Sequence, residues 1–183
     1  AQKRGLDCET NVPLIIDQYL SKSAVKMFST TGVLSPAELE SRCEVKWENY
    51  SLKLQIESRV LGDMVINHVL PAAKRYQAML LEKVANVKHV FDAEEAKMLN
   101  EQDCLLIRRI ESHASAIIAG VDKMTELRVI ANHITNQRER AVAFHDTIVP
   151  IMEDIRKHVD ELEMWIDDQL WTLPKYRELL FIR

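Results

Sequence analysis

Three times along this chain, a helix-start signal is followed by a long run of apolar residues spaced three and four apart. The first is Ser35-Pro36-Ala37-Glu38. Ser35 can cap the helix, Pro36 fits its first turn and Glu38 can reach back to the cap. Leu34 and Leu39 flank this box in the positions of a hydrophobic staple. The stripe that follows is Leu39, Cys43, Trp47, Tyr50, Leu54, Leu61, Met64, His68, Tyr76, Leu80, Val84, Val87 and Phe91, interrupted only at Glu57 and around Pro71. That pattern predicts one helix from about 36 to about 91, kinked at Pro71. At 1.5 Å per residue it would span roughly 80 Å.

Asp92-Ala93-Glu94-Glu95 opens a second run through Leu99, Leu106, Ile110, His113, Ile117, Val121, Met124, Leu127, Ala131 and Ile134. Gly120 is expected to weaken that helix by about 1 kcal/mol relative to Ala without breaking it. Asn136-Gln137-Arg138-Glu139 opens a third, through Val142, His145, Ile148, Met152, Ile155, Val159, Leu162, Ile166 and Leu170. Its spacing is close to a heptad, with a kink expected at Pro150. Ahead of the long helices, Asn11 and Pro13 predict a short helix to about Leu20. A second begins after Ser21 and stops at Gly32.

Three long helices joined by tight connections must run up, down and up again. The expected fold class is therefore all-α, an elongated antiparallel bundle with short N-terminal helices and a C-terminal tail. Composition agrees, with 4 Gly, 5 Pro and 6% aromatic residues against 47% hydrophobic. Many short strands would need more turn residues than that. Residues 1–34 read as a linker with short helices, and 35–183 as the bundle with its tail docked. In the tail, Leu170, Trp171, Leu173, Tyr176, Leu179, Leu180 and Phe181 are too apolar for a free end. The short helices, with Leu14, Ile15, Tyr19, Val25 and Phe28, are the expected acceptor.

Function classes fall away in turn. With 24 basic and 28 acidic residues the net charge is -4, not the positive field that nucleic acid requires. Apolar runs of four to five residues are far short of a membrane span. The polar start, with Lys3 and Arg4, has no apolar stretch of a secretory signal behind it. Cys8, Cys43 and Cys104 form no CxxC pair and read as reduced cytosolic thiols. The charged, helix-like stretch from Ala1 to Leu6 reads as the interior of a longer chain.

No residue set emerges as catalytic, cofactor-binding or metal-binding. None of the six His has an acid three residues before it, which a di-iron bundle would need, and there is no HExxH. The four glycines are isolated, so no phosphate cradle is formed. His68, His113 and His145 fall on apolar stripes and read as hydrogen-bonded seam residues. Trp47, Trp165 and Trp171 read as packing anchors, and Glu94-Glu95 and Asp167-Asp168 as solvated helix ends. His145-Asp146, with Pro150 five residues after the His, resembles the phosphoacceptor helix of sensor histidine kinases. That chemistry needs an exposed ring nitrogen beside an orienting carboxylate.

Two stretches carry a broader resemblance. From Gly32 the chain reads G-V-L-S-P-A-E-L-E-S-R, then E-N-Y, I-E-S-R-V-L-G-D and H-V-L-P-A-A-K-R-Y up to Tyr76. Near its end it reads D-D-Q-L-W-T-L-P-K-Y-R-E-L-L-F. Both, in this order, resemble the C-terminal region of type III glutamine synthetases, the large bacterial form of that enzyme. The resemblance implies a cytoplasmic parent that joins ammonia to glutamate using ATP and divalent metal, Mg or Mn. It implies no cofactor within this chain, because the family's catalytic sheet would lie upstream. The implied partners are the catalytic domain of the same parent and neighbouring subunits of stacked hexamers, without nucleic acid or membrane. The expected role is non-catalytic, structural or at an oligomer interface. The alternatives are a free-standing helical adaptor or coiled-coil interaction module, and a histidine phosphotransfer bundle.

Overall fold

A computed structural model describes the backbone of residues 2–5 and 8–180, and the side chains among them except those of Gln2, Tyr176 and Arg177. The fold is all-α, and no strand occurs among the described residues. The helices are α1 (Val12–Asp17), α2 (Lys22–Thr30), α3 (Pro36–Met64), α4 (Leu70–Val90), α5 (Ala93–Asn132), α6 (Gln137–Ala143), α7 (Val149–Trp165) and α8 (Tyr176–Leu180). The chain forms two compact units. One contains 1–59 and 123–152, the other 60–122 and 153–183. The boundary expected at residue 34 falls inside the first.

The helix starts follow the sequence signals. Asn11 accepts from the Leu14 amide at 3.2 Å, and Ser21 from Ala24 at 3.3 Å. At Ser35 the box closes both ways. The Glu38 amide donates to Ser35 Oγ, and the Ser35 amide to Glu38 Oε2 at 2.8 Å. The bonds that the Ser35 amide and hydroxyl donate to Oε2 hold the Glu38 carboxyl below its ordinary pKa. Asp92 accepts from the amides of Glu94 and Glu95, and Asn136 from that of Glu139. Gly32, at φ +66°, supplies the left-handed turn after α2 that other residues rarely adopt.

Pro71 and Pro150 are each the second residue of a helix, and a π turn precedes each one. These turns are Val65–Val69 and Phe144–Ile148. The Leu70 amide reaches back five residues to the Val65 carbonyl, and the Val149 amide likewise to Phe144. A proline in a regular helix lacks one amide and clashes with the carbonyl four residues earlier. The widened turn carries the helical backbone up to each proline.

In the first unit, Ile16, Cys43, Trp47 and Ala141 form a buried cluster with Leu20 and Tyr50 packed against it. In the second, Val65, Val69, Ala73, Ile110, Ala114, Ile117, Ile155 and Leu162 are each at most 1% exposed. The buried line of α3 and the turn after it corrects the sequence stripe. It runs through Ser58, Gly62, Val65 and Val69, while Met64 and His68 are exposed. Ser58 and Gly62 carry no hydrophobic signal, so a scan for apolar residues slides by one position onto Leu61, Met64 and His68. Leu99 likewise is 52% exposed, and its neighbour Asn100 is buried instead. Phe144, absent from the predicted stripe, is fully buried.

Gly120 also has a role the sequence does not show. A Cβ at this position would lie 2.8 Å from Ile155 Cγ1. The glycine that weakens α5 lets Ile155 approach its backbone.

The tail corrects another expectation. Trp171 is buried, but Leu179 and Leu180 are 66% and 77% exposed. Among the described residues, the tail is tied within its own unit. Thr172 pairs with His68, and Lys175 donates to the Glu163 carbonyl and pairs with Asp168. The expectations for the Tyr176 side chain and Phe181 lie outside the described residues.

Candidate functional site

The chemistry-bearing side chains gather into two histidine-centred groups and one cavity. In the first unit, Tyr50 on α3 meets His145 in the π turn after α6, with Oη 2.7 Å from Nδ1. Burial raises the Tyr50 pKa, so the phenol stays protonated at neutral pH. It can therefore donate to Nδ1, which places the ring proton on Nε2. Asp146 accepts instead from Asn11 Nδ2 at 3.4 Å. The half-buried His145 thus has its Nδ1 occupied, and its neighbouring carboxylate takes a bond from another element.

The same unit is held by directional polar ties. Trp47 donates from its indole to the Pro13 carbonyl at 3.2 Å. Arg138 meets Asp17 through two parallel bonds of 2.8 and 2.5 Å, the bidentate geometry that suits guanidinium. Together these fix α1 against α3 and α6. Cys43 is buried beside them, and burial raises its thiol pKa, which keeps it unreactive.

In the second unit, His113 on α5 and His158 on α7 face each other, with their Nδ1 atoms 2.9 Å apart. Burial is the main cause lowering the His113 pKa, and His158 adds to it. Both rings cannot be protonated at those nitrogens, because one must accept.

Other sequence expectations resolve individually. His68 is exposed on the Val65–Val69 turn rather than buried on a seam. Trp47 and Trp171 are buried anchors, but Trp165 is 43% exposed, with the Arg109 guanidinium 4.4 Å from its ring centroid. Asp167 and Asp168 do more than end a helix. Asp167 accepts from the Gln169 amide, and Asp168 pairs with the largely buried Lys175. Among the described residues, no three His, Cys, Asp or Glu side chains gather as metal ligands. No helix there is long and apolar enough to cross a membrane.

The cavity belongs to the second unit, where α4 turns into α5, and has a volume of about 930 Å³. Sequence reasoning missed it because its central polar residue, Asn100, stands next to the Leu99 that an apolar scan selects.

The segments that carry the family resemblance hold the fold together at nearly every step. Gly32 and Ser35-Glu38 build the start of α3, Tyr50 holds His145, and Ser58, Gly62, Ala72 and Ala73 make the buried line. Trp171 and Lys175 fasten the tail.

Comparison with known proteins points the same way. The model of the glutamine synthetase C-terminal domain matches residues 1–88. A glutamine synthetase from Bacteroides fragilis (strain YCH46) is 43% identical over 100% of this chain and 25% of its own length. A type-3 glutamine synthetase from Dictyostelium discoideum is 31% identical over the same shares. A glutamine synthetase from Butyrivibrio fibrisolvens is 24% identical over 99% of this chain and 25% of its own length. The chain thus spans 25% of the length of the curated relatives it matches. Residues 1–88 thus match the glutamine synthetase C-terminal domain family, and along its whole length the chain is similar to part of these glutamine synthetases.

Proposed function

We propose that this chain is the non-catalytic helical C-terminal domain of a type III glutamine synthetase. It braces the catalytic part of its parent, or an interface between subunits. The parent would be a cytoplasmic ligase that joins ammonia to glutamate with ATP and Mg or Mn, assembled as stacked hexamers. The observation that carries this reading is the role of the segments resembling type III enzymes. They serve as caps, buried small residues and ties between helices, which is what a scaffold needs. The 31% identity to a type-3 glutamine synthetase supports the subclass.

The purified chain, given glutamate, ammonia, ATP and Mg or Mn, is expected to form no glutamine. Removing this region from the parent is expected to give smaller assemblies by light scattering. Glutamine formation by the chain alone, or full-sized assemblies without it, would overturn the proposal.

A free-standing helical adaptor is the second reading. Val45, Leu52 and Ile56 favour it, because they lie exposed along one face of α3, opposite the buried face. Histidine phosphotransfer has less support, because the Nδ1 of His145 is engaged by Tyr50 and Asp146 is bonded to Asn11.

A further inference from the structure

His113 and His158 belong to different helices, α5 and α7, whose backbones are set by the seam beside them. Ala114, Ile117, Ile155 and Leu162 in that seam are each at most 1% exposed. Packing thus brings the two imidazoles together, with Nδ1 atoms 2.9 Å apart and ring centroids 5.1 Å apart. Both rings stay only half-buried, within reach of solvent.

Two nitrogens at this separation can bond one ion. Metal–imidazole bonds of about 2.0–2.1 Å would meet there at about 90°, the angle between neighbouring ligands of a tetragonal ion. The surrounding groups suit a cation. Burial, first, and then His158 and Arg109 lower the His113 pKa, so its ring is neutral at pH 7 and has a lone pair to give. Glu161, three residues after His158, brings a carboxylate near His113. The Arg109 guanidinium is engaged over the Trp165 ring. Asp154, one turn before His158, has Oδ2 4.0 Å from His158 Nε2. A metal-bound histidine commonly donates its other ring N–H to a carboxylate, and the exposed Asp154 needs only a side-chain rotation to accept it.

We infer that His113 and His158 form a two-imidazole site for a divalent transition-metal ion of the nickel or copper class, which clips α5 to α7. Without metal, one Nδ1–H donates to the other Nδ1. With metal, both Nδ1 atoms give lone pairs and the donor ring carries its proton on Nε2 instead, so both rings stay neutral. Water and the nearby Glu161 carboxylate complete the surroundings of the ion.

The probe is nickel(II) chloride, titrated at neutral pH into the full chain carrying Cys8→Ser and Cys104→Ser, which leaves only the buried Cys43 thiol. We expect a saturable one-to-one step by calorimetry. The paramagnetic ion should broaden the ring resonances of His113 and His158 together, before those of the exposed His68, His89 and His133. At a hundred times its Kd it should raise the melting temperature by about 5–10 °C, reversibly with EDTA. His113→Gln and His158→Gln should each abolish the one-to-one step, and Asp154→Asn should weaken it about tenfold. Magnesium, which prefers oxygen ligands, should have no such effect. Paired broadening in the chain with both histidines tests the site should a glutamine variant not fold. Unsaturable binding, broadening that spares either ring, or a one-to-one step retained in either folded glutamine variant would each overturn the assignment.

Discussion

The two units are built from the same kind of helix but are held in different ways. The unit of residues 1–59 and 123–152 relies on directional bonds around aromatic groups, as in Trp47 to Pro13, Tyr50 to His145, and Arg138 to Asp17. The unit of residues 60–122 and 153–183 relies on close packing of small and aliphatic residues, with Gly120 letting Ile155 close in. Its one histidine pair is poised to be sensitive to protons. The difference follows from the chain available to each. Short helices such as α1, six residues long, bury little area and need specific bonds to fix them. The part of α5 in the second unit, residues 93–122, is long enough to gain from a continuous apolar seam.

That comparison can be broken most strongly at Trp47. Trp47→Ala removes a 3%-exposed side chain and strands the Pro13 carbonyl, and should cost about 3–5 kcal/mol. Thermal melting checks this, and a loss below about 1 kcal/mol would show the aromatic anchor to be dispensable. In the packed unit, Gly120→Ala should destabilise by about 1–2 kcal/mol. Overpacking against the stiff, β-branched Ile155 outweighs the roughly 1 kcal/mol gained in helix propensity. Restoring space with Gly120→Ala together with Ile155→Val should recover part of that loss. A stabilised single variant in urea titration would refute the close approach.

Tyr50→Phe sharpens the contrast from the directional side. It removes only the hydroxyl that reaches His145 and should cost about 0.5–1.5 kcal/mol. The His145 ring resonances should shift in the same variant. An unchanged ring spectrum would mean that the bond does not form in solution.

The smallest effect expected is pH dependence in the packed unit. The folded-state pKa of His113 is lowered from the ordinary 6.5, chiefly by burial and then by His158. The unfolded state therefore takes up the proton first as pH falls. This contribution to stability is fully present above pH 6.5 and is lost as pH falls below 6.5 toward the lowered value. His113→Gln should flatten the stability profile below pH 6.5 relative to the parent chain. An equal slope in both would assign the acid sensitivity elsewhere.

How much of this could be read from the sequence depends on what kind of signal each residue gives. Ser35, Asp92 and Asn136 were readable because capping is local chemistry between residues two or three apart. The seams through Ile110, Ile117, Ile155 and Leu162 were readable because large apolar residues repeat. Ser58, Gly62, Ala72 and Ala73 were not, because close packing selects small residues that a hydrophobicity pattern ignores. Gly120 was read by propensity alone, since its value lies in a contact 35 positions away in the chain. The exposed Leu179 and Leu180 contradict a rule that holds only when an acceptor surface is present. Of the histidine groups, the sequence showed the stripe positions of His113 and His145 but neither partner. Asn100 gave no signal at all, because an unsatisfied acceptor exists only once the fold has buried it.

We propose that this chain braces a parent glutamine synthetase without taking part in the parent's chemistry. Trp47→Ala introduced into the parent enzyme tests it most directly, with assembly size and the kinetics of the intact assemblies measured together. The account predicts a smaller assembled fraction, and unchanged kcat and KM for glutamate and ATP within that fraction. A full assembled fraction with lowered kcat would contradict it, because the residue would then act on catalysis and not on the scaffold.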